Sequence, residues 1–333
     1  MMAKLKINVD GRKREKNGKA DFFLAEEIIR LRLSQMIVNE GFKAGRFKVP
    51  VHLAFGHEAL AVAVSMAMRR DDKLVLTHRN IAYNMARVKP KPREKAALVL
   101  KRFLHEYLLR PSGLQGGRFG SMNLFTPDFG IPYTSSILGN QFPVGCGFAL
   151  GDQLLRKECV VFISGGDGGI EEGAFWESAL MARSMRLPVI FLIENNEWSM
   201  HTKIDERRTP INLEKFSESL GLTFLSLKGN DPYEYQKRLS ALREKVSRSR
   251  IAACVETTVR TLGDWYSAPN AEYPEGKFVK YHTGASPSTV LSEWPIMKED
   301  KDDPLFVLKD FFGERRLKQV AKRQFYALKK VML

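Results

Sequence analysis

Two apolar runs constrain this chain more than any other feature. They are Cys159-Val160-Val161-Phe162-Ile163-Ser164 and Val189-Ile190-Phe191-Leu192-Ile193. Neither alternates with polar residues, so each reads as a strand covered on both faces. Gly173–Met185 between them reads as a helix. A strand–helix–strand unit of this kind gives two parallel strands joined by a right-handed crossover. Downstream follow a helix near Leu213–Leu220, a strand Thr223–Leu227, a helix from Asp231 to about Ser249 and a strand Ala252–Thr258. Asp231-Pro232 supplies an N-cap and a proline at the first helical position. Upstream, Phe22, Ile28, Ile29, Leu33, Met36 and Ile37 recur at helical spacing over Asp21–Asn39. A second helix runs from His57 to about Arg70, a strand covers Asp72–Thr77, and a helix from about Arg93 to Leu109 stops before Pro111. The glycine-rich stretch Pro111–Ile131 reads as a long ordered loop, a kind that usually carries function. The expected fold is α/β, an open, mostly parallel, doubly wound sheet with helices on both faces. Three regions are expected: a basic arm over residues 1–20, the α/β domain over 21–300, and a basic helical tail over 301–333.

In such sheets ligands bind beyond the carboxyl ends of the strands. Gly165-Gly166-Asp167-Gly168-Gly169 closes one apolar run, and Glu194-Asn195-Asn196 closes the next. The 26 residues from Gly169 through Glu194 suit one crossover helix and one strand. The two motifs are therefore expected on the rim of one crevice. A carboxylate and an amide carbonyl are hard oxygen ligands, suited to magnesium or calcium. The glycines let backbone N–H groups come close to an anion. A lone glycine-rich turn around an aspartate would mean little, but two motifs at crossover spacing mean more.

The 333 residues include 44% hydrophobic and 27% charged side chains, an ordinary soluble composition with no apolar run near the roughly 20 residues of a spanning helix. A formal net charge of +15 invites nucleic acid. The charge is scattered, however, except in Lys4–Lys19 and Arg315–Lys330, and no zinc-finger or aromatic RNA-binding pattern accompanies it. An acidic protein partner is the simpler expectation. Cys146, Cys159 and Cys254 lack metal-ligand spacing and read as buried free thiols in a reducing cytoplasm. The tail Glu314–Leu333 sets Leu317, Val320, Ala321, Leu328 and Val331 between Lys and Arg, an amphipathic helix that suits either a partner or its own domain.

Several stretches together resemble one family. They are Val51–Val64, Thr77–Arg87, Gly116–Phe125, Ser135–Leu150 and Gly166–Thr202, in order within Asp21–Thr258. They look like the α subunit of the thiamin diphosphate-dependent first component of 2-oxo acid dehydrogenase complexes. The resemblance implies thiamin diphosphate and Mg2+ as cofactors. It implies metal ligation by Asp167, Asn196 and the Trp198 carbonyl, and diphosphate contact by Gly166, Gly168 and Gly169. Arg79 takes the family's phosphate-binding arginine position, Ser136 and Leu138 match positions that hold the aminopyrimidine ring, and His52 matches a site histidine. His57, His105 and His201 read as structural or surface residues.

Two positions depart from the family. His78 stands where a tyrosine is usual, and the later active-site loop lacks its histidine. In that loop Lys280-Tyr281-His282-Thr283-Gly284 resembles the histidine–glycine turn of transketolases, which implies a cofactor and catalytic role for His282. The family's activating glutamate comes from a β subunit. The resemblance thus implies an α2β2 heterotetramer, inactive as the lone chain, with an acyltransferase component as a further partner. Membrane and nucleic acid are not expected partners. Two other functions fit the same residues: a split transketolase-like ketol transferase, and a non-catalytic phosphate- or nucleic-acid-binding protein on the same fold.

Overall fold

The computed structural model describes residues 19–90 and 95–331. The expected basic arm lies outside them, except that helix α1 (Lys19–Lys43) begins on its last two residues. Helix α2 (Glu58–Ala67), strand β1 (Lys73–Thr77), α3 (Ile81–Arg87) and α4 (Ala96–Tyr107) follow. Next come β2 (Tyr133–Ser135), α5 (Gln141–Leu154), β3 (Val161–Gly166), α6 (Gly173–Ser184) and β4 (Val189–Asn195). The short strands β5 (Trp198–Ser199) and β6 (Thr202–Lys203) lead to α7 (Ile204–Arg207), α8 (Leu213–Leu220), β7 (Thr223–Leu227), α9 (Pro232–Ser249) and β8 (Ala253–Thr258). A hairpin of β9 (Trp265–Ser267) and β10 (Lys277–Val279) precedes α10 (Pro304–Phe312) and α11 (Glu314–Lys329). Among the described residues no helix is long and apolar enough to cross a membrane.

Six strands form one parallel sheet in the order β2-β1-β3-β4-β8-β7. Alternate residues of each strand enter two different cores. Leu74, Leu76, Phe162, Ile190, Leu192 and Val255 face one, under α1, α2 and α9. Val75, Val161, Ile163, Phe191, Ile193 and Cys254 face the other, under α5 and α6. The unbroken apolar runs thus mark strands buried on both faces. Strand β3 extends to Gly166, so the first two glycines of the motif belong to the strand and the turn starts at Asp167.

Buried ion pairs tie the layers. Arg32 on α1 meets Glu58 at the start of α2 at 2.6 Å and Asp303 at 3.0 Å, with all three side chains fully buried. Asp303 also caps α10 by accepting from Leu305 N. Helix α11 lays Leu317, Val320, Ala321, Phe325 and Leu328 inward and packs against α1. The amphipathic tail is therefore covered by its own chain.

Candidate active site

The chain leaves β1 toward β2 on one side and continues with β3 on the other side of β1. Helix α4 contributes to one core and α5 to the other, so the connections run over opposite faces. That makes a topological switch point between β1 and β3, where open sheets split and ligands bind. A cleft opens there. Thr77, His78 and Arg79 enter it from β1, Gly165–Gly169 from β3, and Glu194, Asn196 and Trp198 from β4 and beyond.

The crossover brings the two motifs together as expected. The Asn196 backbone N–H donates to Asp167 Oδ1 at 3.4 Å. Asp167 is 2% exposed. Burial pushes its carboxyl above the ordinary range, and Arg207 from α7 offsets that only in part through a short hydrogen-bonded ion pair. Arg207 also meets Glu171 at 2.7 Å, and so does Arg208 at 2.6 Å. Asp167 thus already carries a cation on its outer oxygen. Around it the backbone is tight: Glu197 and Met200 take left-handed φ values of 65° and 54°. Lys280 donates to the Asn196 carbonyl at 2.8 Å, and burial pushes its amine down to about 8.

Arg79 supplies positive charge opposite. Its guanidinium donates to Leu53 O at 2.6 Å and His282 O at 3.1 Å, both neutral acceptors. Among the described residues no carboxylate forms an ion pair with it. His282, His78 and His52 cluster beside it, with ring nitrogens within 4.8 Å of one another. Burial and the Arg79 charge push His52 down to about 2, His78 to about 3 and His282 to about 4, so all three are neutral near pH 7.

The residues fit a magnesium-bridged diphosphate. Asp167 and Asn196 line the same cleft and carry hard oxygens. Arg79 is a half-buried cation in no ion pair among the described residues, and the Gln141 amide is buried in the cleft with neither atom hydrogen-bonded. Two of the glycines, Gly165 and Gly168, are sterically required, while Gly166 and Gly169 have room for a Cβ. A Cβ on Gly165 would lie 2.4 Å from Phe142 Cζ, and one on Gly168 would lie 2.6 Å from Ser199 Oγ.

Of the residues singled out from sequence, Arg79, Leu138, Gly166, Asp167, Gly168, Gly169, Asn196, Trp198 and His282 line the cleft. Ser136 stands just outside it, exposed, while its neighbours Ser135 and Ile137 line it. His52 sits behind His78 and His282, with ring centroids 4.5 and 5.1 Å away. Sequence reasoning missed His57, which it took as structural; it lines the cleft and hydrogen-bonds Glu194.

The profile of the dehydrogenase E1 component family matches residues 31–252. The chain is 30% identical over 241 residues to the pyruvate dehydrogenase E1 component subunit alpha of Rickettsia bellii, covering 72% of this chain and 71% of the relative. The mitochondrial counterpart from Saccharomyces cerevisiae is 29% identical over 206 residues, 62% of this chain and 46% of the relative. Among solved structures, a Pichia stipitis transketolase superposes with a TM-score of 0.57 at 14% identity, over 92% of this chain and 45% of that one. A Campylobacter jejuni transketolase gives 0.54 at 17% identity, over 92% and 48%. The chain therefore spans a little under half of those transketolases, and at such identities they speak for the fold alone. The parallel sheet, the cleft at its switch point and the matched profile lead to one assignment: this chain belongs to the dehydrogenase E1 component family, as an enzyme subunit of the α type.

Proposed function

We propose that this chain is the diphosphate- and metal-binding half of an enzyme that decarboxylates a 2-oxo acid and passes on the acyl or aldehyde unit. The observation that carries this is the meeting of Asp167 and Asn196 at the ends of β3 and β4, in one cleft with Arg79, which forms no ion pair among the described residues. When bound, thiamin diphosphate supplies the nucleophilic carbon and the electron sink that this cleavage needs. Asp167, Asn196 and the Trp198 carbonyl would hold Mg2+. Gly166, Gly168 and Gly169 would present backbone toward the diphosphate, and the Arg79 fork would pair with its oxygens. Leu138 and Ser136 would flank the aminopyrimidine ring. Neutral His282 can donate one hydrogen bond to a phosphate oxygen while accepting another, and His52 supports it from behind.

The family relation supports a β-type partner that brings the activating glutamate, in an α2β2 assembly, with an acyltransferase component downstream. The chain's charge of +15 suits an acidic partner. Cys146, Cys159 and Cys254 are buried free thiols, which fits a reducing cytoplasm. A ketol-transferase variant draws on one observation, the cluster of His52, His78 and His282 where the usual tyrosine and loop histidine are replaced. The deciding experiment is turnover by the complex of this chain with its partner, offered 2-oxo acids and ketose phosphates in parallel. Thiamin diphosphate-dependent release of CO2 from a 2-oxo acid is the expected result. Turnover of ketose phosphates alone would favour the variant, and binding without any turnover would make the chain a non-catalytic binder.

A further inference from the structure

A file of buried polar groups runs behind the cleft and ends on Asn196. Glu194 is 8% exposed, and its carboxylate accepts from Tyr83 Oη at 2.8 Å and Ser164 Oγ at 3.1 Å. Its other oxygen meets His57 Nδ1 at 2.5 Å. His57 Nε2 lies 2.9 Å from Thr261 Oγ1, which accepts from Asn196 Nδ2 at 3.3 Å. His57 and Thr261 are 2% and 1% exposed, so water does not compete for these contacts.

We propose that His57 and Thr261 are positioning residues that fix the Asn196 amide with its Oδ1 turned to the metal. The inference rests on the reading of Asn196 as a metal ligand. The oxygen and nitrogen of an amide are nearly the same shape, so an unrestrained asparagine presents either. Here a file of buried contacts restrains it. The Glu194 carboxylate meets Nδ1 of His57, and Nε2 on the far side of the ring meets the Thr261 hydroxyl. The Thr261 hydroxyl, held there, keeps lone pairs open to a further donor. Those lone pairs take Nδ2 of Asn196, because Oδ1 has no proton to give. Oδ1 is held on the other side, where it accepts from Trp198 N at 2.9 Å and keeps a second lone pair. The file from Glu194 through His57 to Thr261 thereby sets the face that Asn196 shows.

The backbone is shaped for this contact. Gly56 has φ 90°, and a Cβ there would lie 2.1 Å from Arg260 O. Leu262 N donates to Phe55 O at 2.9 Å. The segment carrying Thr261 can lie against the start of α2 because residue 56 has no side chain.

The test compares Thr261→Val with Thr261→Ser in the full chain assembled with its β-type partner. Mn2+ affinity in the presence of thiamin diphosphate is read by electron paramagnetic resonance. Thiamin diphosphate affinity and the melting temperature without metal are read beside it. Thr261→Val should weaken Mn2+ roughly ten- to a hundredfold, while Thr261→Ser stays within about twofold of wild type. His57→Gln keeps a donor toward Glu194 and an acceptor toward Thr261, so it should bind near wild type where His57→Leu does not. A purely structural role would lower the metal-free melting temperature without separating these pairs. If Thr261→Val binds Mn2+ like wild type while Asp167→Asn does not, the positioning role is overturned and the metal reading stands. If Asp167→Asn also binds like wild type, both fall. Should Thr261→Val fail to fold, the His57→Gln and His57→Leu pair decides the same question.

Discussion

Gly168→Ala is the perturbation whose consequence the structure fixes most narrowly. Gly168 has φ −74° and ψ −30°, an ordinary right-handed conformation, so alanine meets no backbone penalty. The cost is steric. The new Cβ would stand 2.6 Å from Ser199 Oγ and 2.9 Å from Ser199 Cβ. Ordinary contact between such atoms needs about 3.4–4 Å, so Ser199 must retreat by roughly 1 Å. Ser199 belongs to β5, whose other residue is Trp198, and β5 pairs only with the two residues of β6. The Trp198 carbonyl, a proposed ligand, moves with it. Overpacking of this kind costs about 1–3 kcal/mol of stability. A displaced ligand should weaken Mg2+-dependent cofactor binding by roughly tenfold or more. Ser199→Gly removes both clashing atoms, so Gly168→Ala/Ser199→Gly should regain stability and affinity, with a coupling of about 0.5–3 kcal/mol. Thermal unfolding and calorimetric titration with thiamin diphosphate and Mg2+ read both quantities. Wild-type affinity in Gly168→Ala, or a double variant no better than Gly168→Ala, would refute the cradle geometry.

His282→Ala should weaken thiamin diphosphate roughly ten- to a hundredfold, the equivalent of about 1.5–3 kcal/mol for a hydrogen bond to a charged acceptor. His78→Ala serves as the comparison in the same titration, and loss confined to His78→Ala would place the phosphate histidine on the wrong loop. The three clustered histidines also make an acid prediction. Their folded values, about 2, 3 and 4, lie below the unfolded 6.5, so the unfolded chain binds more protons and stability falls as pH drops from about 6.5 toward 4. Melting curves should show that decline and a shallower one in His78→Asn, and equal slopes would contradict it. Asp303→Ala leaves Arg32 with Glu58 as its remaining carboxylate and the Pro295 carbonyl, and uncaps α10. It should cost about 3–5 kcal/mol in chemical denaturation while leaving the cleft residues in place.

Much of this was legible in the sequence, for identifiable reasons. Strands β3 and β4 were placed within about two residues because both their faces are apolar, β7 and β8 because short apolar runs follow helices, and α9 because Asp231-Pro232 marks its start. Helix α5 was not, since Pro143, Gly145, Gly147 and Gly151 resemble a loop. A Cβ on Gly145 would lie 2.4 Å from Ile163 Cδ1, so that glycine serves close packing on β3. The β9–β10 hairpin carries exposed Tyr266 and Phe278 and has no period to read. In the site, Asp167 and Asn196 followed from crossover spacing, because one helix and one strand fix where the chain returns. His57 was invisible locally. Its partners are Glu194 and Thr261, far along the chain, and its neighbour Glu58 made it look like the plain start of a helix.

The most direct measurement is a calorimetric titration of thiamin diphosphate into the assembled complex, with Mg2+ and then with a chelator, for wild type and Asp167→Asn. The amide keeps one hard oxygen but loses the charge, and removing one member of a buried charged contact costs about 2–5 kcal/mol. Saturable binding in wild type with Mg2+, lost in chelator and weakened at least about thirtyfold in Asp167→Asn, is the expected result. Equal binding by both proteins, unaffected by the chelator, would contradict the assignment of this cleft to a metal-bridged diphosphate.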